Sequence, residues 1–253
     1  MCHEARVGSA RDVEALIMLE MWHKQKMDIS EFLNKEDRIS QPRIAVILPT
    51  RGMIFTEVEE VLERERKKHN LTIYRSHDLP IPDCLNVLVS QALNDGEYQY
   101  LWFVEEDTVP PDGALDQMIA AHADVIAIKY AANGGFSTIV RHTQRDEILF
   151  TGFGCTLVDR KVFDKLQPPF FRADKMFNIS ISQWQPVDPH KAYGQHDIYF
   201  GFSVREKGFR IQQAPGECRH LRLDGLGQRE VNNGLHQIGL KEAVTKEYPI
   251  NMP

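Results

Sequence analysis

Tyr100-Leu-Trp-Phe-Val104-Glu105-Glu106-Asp107 is an apolar run of five residues that ends in three consecutive acids. A short, continuous apolar run bounded by polar residues reads as a strand buried on both faces. Three carboxylates at its exit are costly, because like charges repel and burial disfavours ionisation. A divalent cation bridging two phosphates removes that cost. Hard oxygen ligands suit Mn2+ or Mg2+, and one or two carboxylates suffice when phosphates supply the other oxygens. The competing reading is local: Asp107 or Thr108 caps the turn, and Asp112 caps the helix that follows.

The pattern repeats on both sides of this stretch. Arg43-Ile-Ala-Val-Ile-Leu-Pro49 is another buried strand, and it ends in Pro49-Thr50-Arg51-Gly52. Thr56 caps a charged helix over 57–68, and Leu71 to Arg75 forms a second strand. Cys84 to Leu93 is an apolar-rich helix after the Pro80/Pro82 turn. Pro111-Asp112 opens a helix reaching about His122, and Val125 to Tyr130 is a fourth buried strand. Alternating strands and helices predict an open, mostly parallel sheet flanked by helices. Ligands of such sheets lie outside the carboxyl ends of the strands. Attention therefore falls on Thr50 and Arg51, on Ser76 to Asp78, and on Glu105 to Asp107.

Order loosens after Asn133-Gly134-Gly135. The sequence predicts a hairpin at 139–140 and 148–150, a strand over 152–158, a short helix over 160–166 and an aperiodic loop over 167–195. A helix over 196–207, a strand over 209–212 and a polar, Gly-rich tail from Pro215 follow. Residues 10–36 carry an apolar stripe near the helical period, so 1–41 reads as an N-terminal helical extension that packs as an appendage or meets a partner. The main domain is expected over 42–225, with a C-terminal tail over 226–253 packed on it.

The 253 residues are 42% hydrophobic and 26% charged, an ordinary globular composition able to bury a sizeable core. The formal net charge of −6 argues against broad, sequence-independent nucleic-acid binding. The cysteines Cys2, Cys84, Cys155 and Cys218 form no C-x-x-C pair, so free thiols in a reducing cytoplasm are expected. Neither a signal peptide nor a membrane span is expected.

Three further residues are candidates for chemistry. Asp197 stands at a helix start, where amides orient it and it could serve as a general base or as a plain cap. His220 lies beyond the last expected strand, and a neutral imidazole there could complete a metal shell. Trp184, with Phe170, Phe171 and Phe177 nearby, could stack on a sugar or anchor its loop to the core.

The order of residues 43–51 (RIAVILPTR), 101–107 (LWFVEED), 152–166 (GFGCTLVDRKVFDKL), 196–202 (HDIYFGF) and 217–221 (ECRHL) resembles the GT-A glycosyltransferases, which bind nucleotide sugars. The resemblance spans roughly 43–225 and implies a GT-A (Rossmann-like) α/β fold. It implies that Pro49, Thr50 and Arg51 lie against the nucleotide and that Asp78 faces the base or ribose. Glu105 to Asp107 take the place of the D-x-D motif, with Asp107 on a Mn2+ or Mg2+ ion and Glu105 and Glu106 on the donor side. Gly152 and Gly154 would floor the sugar and acceptor pocket, Asp197 would be the base of an inverting enzyme, and His220 the late metal ligand. Two departures stand out: the triplet is E-E-D, and the pair at the helix start is His-Asp where Glu-Asp or Asp-Asp is common. No Q-x-x-R-W string of the processive synthases is present.

The implied activity is transfer of a sugar, UDP-linked by family frequency, from a nucleotide-sugar donor to a hydroxyl of a glycan, a small molecule or a hydroxylated DNA base. Rival readings are a non-catalytic nucleotide- or sugar-binding module and a metal-dependent nucleotidyltransferase. A dinucleotide-binding oxidoreductase lacks its G-x-G-x-x-G after the first strand, and a P-loop NTPase lacks its G-x-x-x-x-G-K-[ST].

Overall fold

A computed structural model describes residues 41–231, except 77–78, 133–136, 143, 179–182, 187, 189–194 and 225–226. The expected N-terminal helical extension, Asp78 and the chain beyond 231 lie outside the described residues.

Thirteen strands and five helices are described. In chain order they are β1 (Arg43–Pro49), α1 (Thr56–Lys68), β2 (Asn70–Ser76), α2 (Asp83–Asp95), β3 (Tyr100–Val104), β4 (Thr108–Val109), α3 (Ala114–Ala120) and β5 (Val125–Lys129). Then come β6 (Ile139–Arg141), β7 (Ile148–Thr151), β8 (Cys155–Asp159), α4 (Arg160–Lys165), β9 (Lys175–Asn178), β10 (Gln183–Pro186), α5 (Gln195–Glu206), β11 (Ile211–Glu217), β12 (Arg219–Asp224) and β13 (Gly227–Val231).

The central sheet has six strands in the order β11-β5-β8-β3-β1-β2. β2, β1 and β3 are parallel, as are β5 and β11; β8 is antiparallel to β3 and β5, between which it is inserted. The fold is thus the expected mostly parallel α/β sheet, joined by one reversed strand. Strand alternation explains the unbroken apolar runs. Ala45, Ile47, Leu101 and Phe103 enter the core on one face, and Ile44, Val46, Leu48, Trp102 and Val104 enter the core on the other.

Several boundaries differ from the sequence reading. The helix expected from Pro111-Asp112 starts at Ala114 behind Gly113, whose φ of 71° is left-handed, and no side chain caps it. Phe55, not Thr56, precedes α1, again without a side-chain cap. The aperiodic loop holds an antiparallel hairpin, β9 with β10. The polar tail from Pro215 is strand: β11 runs on to Glu217, and β12 pairs with both β13 and β4. A search for apolar runs passes over these strands because their residues are mostly polar. Phe170 and Phe171 are buried, and Phe171 packs on Phe103, Phe153 and Phe200. These two aromatics anchor the loop to the core.

Helix α5 docks closely on β7. A Cβ at Gly201 would come within 2.5 Å of Phe150 Cβ and 2.8 Å of the Leu149 carbonyl. Backbone on the facing side cannot swing away, so Gly201→Ala is expected to destabilise the protein by about 1–3 kcal/mol in urea unfolding. An unchanged midpoint would mean that α5 is not seated this tightly.

Glu65 of α1 is 2% exposed, with His69, Lys68 and Arg64 around it. Burial would raise its carboxyl, but His69, Lys68 and Arg64 outweigh burial and hold it below the usual range. A depressed acid adds stability that is present above its unfolded pKa and lost as pH falls through the folded one. Glu65→Gln is expected to lower the melting temperature at pH 7 and to approach wild type near pH 3 or below. A deficit independent of pH would contradict an ionised Glu65.

Candidate functional site

The candidate site forms at the carboxyl ends of β1 and β3, around a cavity of about 360 Å3. Pro49, Thr50, Arg51, Leu79, Pro80, Ile81, Cys84, Glu105, Glu106, Asp107 and Arg222 line it. Of the expected donor-side residues, Pro49, Thr50, Arg51, Glu105, Glu106 and Asp107 therefore come together.

Each acid of the triplet meets different partners. Glu105 accepts from the Tyr130 hydroxyl at 3.2 Å. Glu106 is gripped by Arg51 through both its backbone N–H and its Nε. The Glu106 carbonyl also accepts from Phe55 N–H at 3.0 Å, which clasps the 50–55 loop onto the triplet. Asp107, 4% exposed, accepts on Oδ2 from Arg222 at 2.7 Å and from Arg51 at 3.2 Å.

His220 reaches Asp107 through strand pairing. β4 lies antiparallel to β12, with His220 opposite Thr108, and Leu221 N–H donates to the Asp107 carbonyl at 2.7 Å. Residues 220 and 222 share one face of β12, so His220 and Arg222 converge on the same carboxylate. His220 Nδ1 lies 2.5 Å from the Ala131 carbonyl, and Nε2 lies 3.5 Å from Asp107 Oδ1. A carbonyl only accepts, so Nδ1 carries the proton and Nε2 is turned toward a carboxylate oxygen. Nε2 and Oδ1 are thus two neighbouring ligand atoms that one cation could share. A histidine that donates its other ring N–H to a carbonyl is also the usual form of a metal-ligating one. Asp107 and His220 therefore fit a divalent ion. A second cluster, Glu65, His69 and Asp116, sits at the far end of α1. There Arg64 and Lys68 already supply positive charge to Glu65.

Asp197 is the third residue of α5, and His196 Nε2 lies 3.0 Å from its Oδ1. Both belong to the same electrostatic unit as Glu105. Burial first, then the charges of Asp107 and Asp197, push the Glu105 carboxyl up to about 7. Burial would depress the His196 imidazole, but Asp197 and Glu105 hold it above its ordinary value. The site thus keeps its acids apart in role: Asp107 stays low because His220, Arg222 and Arg51 outweigh its burial.

Gly152 and Gly154 have a packing reason to be glycine. A Cβ on Gly152 would meet the Tyr130 hydroxyl at 2.6 Å, and one on Gly154 would meet the Tyr130 ring and Thr108 Oγ1 at 2.7 Å. Tyr130 also accepts from Gly154 N–H at 3.1 Å, and its ring stands edge-on to His220 at 5.3 Å. The two glycines hold Tyr130 between Glu105 and His220. Trp184 lies on α5 against Tyr199 and Phe202, with its Nε1 donating to Glu206 at 3.2 Å, and it does not line the cavity.

Among solved structures the chain is similar to A197 from STIV, with 17% identity, a TM-score of 0.52, and coverage of 76% of this chain and 94% of that one. It is also similar to the mannosyltransferase PcManGT from Pyrobaculum calidifontis in complex with GDP-Man and Mn2+, at 12% identity, coverage of 80% and 66%, and a TM-score of 0.42. Glucosyl-3-phosphoglycerate synthase from Mycobacterium tuberculosis, in complex with Mn2+, UDP and phosphoglyceric acid, gives 8% identity, coverage of 84% and 80%, and a TM-score of 0.40. At 17% identity the likeness to A197 is one of fold alone. No protein-family model matches the chain, and no curated protein matches it in sequence.

Tyr130, His196 and Arg222 were not assigned to the site from sequence. Tyr130 directly follows β5 and falls under the same strand-end rule that picked out Thr50 and Asp107. Arg222 needed the knowledge that 219–224 is a strand. Tyr130→Phe removes one hydroxyl and is expected to cost about 0.5–1.5 kcal/mol in urea unfolding. Gly154→Ala drives a methyl into the Tyr130 ring and is expected to cost more, about 1–3 kcal/mol. The reverse order would refute the packing role of the glycine.

Proposed function

We propose that this protein is a metal-dependent glycosyltransferase that moves a sugar from a nucleotide-diphosphate donor, UDP-linked as the first candidate, to an acceptor hydroxyl with inversion. The observation that carries this reading is that Asp107, which lines the cavity with Arg51 and Arg222, pairs with His220 Nε2 at 3.5 Å. One carboxylate and one imidazole suit a Mn2+ or Mg2+ ion whose remaining ligands come from phosphates. Two guanidiniums suit the charge of a diphosphate.

Asp107 and His220 would hold the ion, which when bound neutralises the diphosphate leaving group. Pro49, Thr50 and Arg51 form the wall on which the nucleotide rests, and Leu79, Pro80 and Ile81 give that wall an apolar side. Glu105, held by Tyr130, borders the sugar. Asp197 takes the proton from the attacking hydroxyl. Its Oδ1 lies close to His196 but finds no hydrogen-bond donor in line among the described residues, which leaves it available as an acceptor. His196 in its cationic form offsets the charge of Asp197. Among the described residues, no helix is long and apolar enough to cross a membrane. The acceptor classes remain a glycan, a small molecule or a hydroxylated DNA base.

The decisive experiment is thermal melting with UDP, GDP, CDP and ADP, each with and without Mn2+, on wild type and Asp107→Ala. One nucleotide at about 100 times its dissociation constant is expected to add about 2.7 kcal/mol of stability, only with Mn2+ and only in wild type. A folded protein that responds to none of the four sinks the proposal. Asp197→Asn is expected to keep the nucleotide-induced shift and to slow sugar transfer by roughly 100- to 10,000-fold. Wild type that binds donor but releases no nucleoside diphosphate would instead be a binding module.

A further inference from the structure

Arg222 lines the donor cavity, and its guanidinium is only half used. Nη1 donates to Asp107 Oδ2 at 2.7 Å, while Nε is buried and finds no hydrogen-bond acceptor among the described residues. A guanidinium presents its donors as a planar fork matched to two oxygens of one carboxylate or phosphate. Asp107 Oδ2 is shared with Arg51 at 3.2 Å, and Oδ1 faces His220 Nε2 at 3.5 Å. Arg51 differs from Arg222, because Glu106 grips it through its backbone N–H and its Nε. Arg222 is the guanidinium with a buried donor still to satisfy, and burial makes that deficit unfavourable.

We propose, resting on the glycosyltransferase reading above, that Arg222 is a ligand of the donor diphosphate, parked on Asp107 while the site is empty. The parked arginine and a divalent ion need the same carboxylate. An ion arriving alone must displace Arg222 or sit beside its positive charge. A diphosphate removes the conflict: its oxygens take both donors of the Arg222 fork, and Asp107 is released. Metal and nucleotide therefore bind as a pair, each raising the affinity of the other by the same factor. The same logic explains how a protein can keep Asp107 ionised and nearly buried without a resident ion.

The test uses the full chain as wild type, Arg222→Gln and Arg222→Lys. Binding of Mn2+ alone is followed by the electron-spin resonance signal of the free ion. Binding of UDP, GDP, CDP and ADP is followed by calorimetry at saturating Mn2+. Arg222→Gln is expected to bind Mn2+ alone at least about tenfold tighter than wild type, because the competitor is gone, and to bind the preferred nucleotide at least about tenfold weaker. Arg222→Lys keeps the positive charge but not the fork, so its affinity for Mn2+ alone stays near wild type while nucleotide affinity falls. The opposite signs separate this role from general damage to the site, which would weaken both ligands together. If Arg222→Gln binds Mn2+ no tighter, or holds nucleotide as well as wild type does, the parking role is wrong. If wild type with Mn2+ takes up none of the four nucleotides, the glycosyltransferase reading fails, and the role of Arg222 fails with it.

Discussion

Three carboxylates in a row leave a buried strand, and the rest of the candidate site is arranged around making that tolerable. The chain turns between β3 and β4, where Thr108 N–H donates to the Glu105 carbonyl, and Glu105, Glu106 and Asp107 face different neighbours. Tyr130 from the end of β5 attends to Glu105, Arg51 from the end of β1 to Glu106, and His220 and Arg222 from β12 to Asp107. The partners come from three separate parts of the chain. The acids differ in proton affinity because their partners differ: burial beside other acids raises Glu105 to about 7, and positive neighbours hold Asp107 low.

The glycines belong to the same arrangement at one remove. Gly152 and Gly154 sit against Tyr130, and Gly201 brings α5 onto the backbone of β7. The first contact positions the hydroxyl that meets Glu105. The second sets the height of the helix whose first turn carries His196 and Asp197. Neither glycine contact touches the cavity directly, yet each fixes a polar group that belongs to the candidate site.

Sequence made the sheet legible because its strands are buried on both faces. Runs such as Ile44–Leu48 and Leu101–Val104 carry no other reading, and the strand-end rule then pointed to Thr50, Arg51 and Asp107. Legibility failed where the strands are rich in polar residues. The segment from Pro215 to Asp224 mixes polar and apolar residues and opens with Pro215 and Gly216, so it reads as a polar tail. Without that strand, the period of two linking His220 to Arg222 could not be seen. His220 stands out by its residue type; Arg222 does not, because nothing but the strand ties it to the site. The reversed strand β8 was also hidden, since a strand reads the same in either direction until its partners are known.

The link between Asp107 and Arg222 spans 115 residues of chain. Chain order then constrains assembly. The strands β1, β2 and β3 are complete soon after residue 104, but the arginine and histidine that offset Asp107 arrive only with β12. Of the side chains that contact Asp107, that of Arg51 comes earlier in the chain. Closure of the small β4–β12–β13 sheet is a long-range event, which is slow relative to local helix formation. A chain that stopped before β12 would still carry β1, β2 and β3 but would lack both His220 and Arg222.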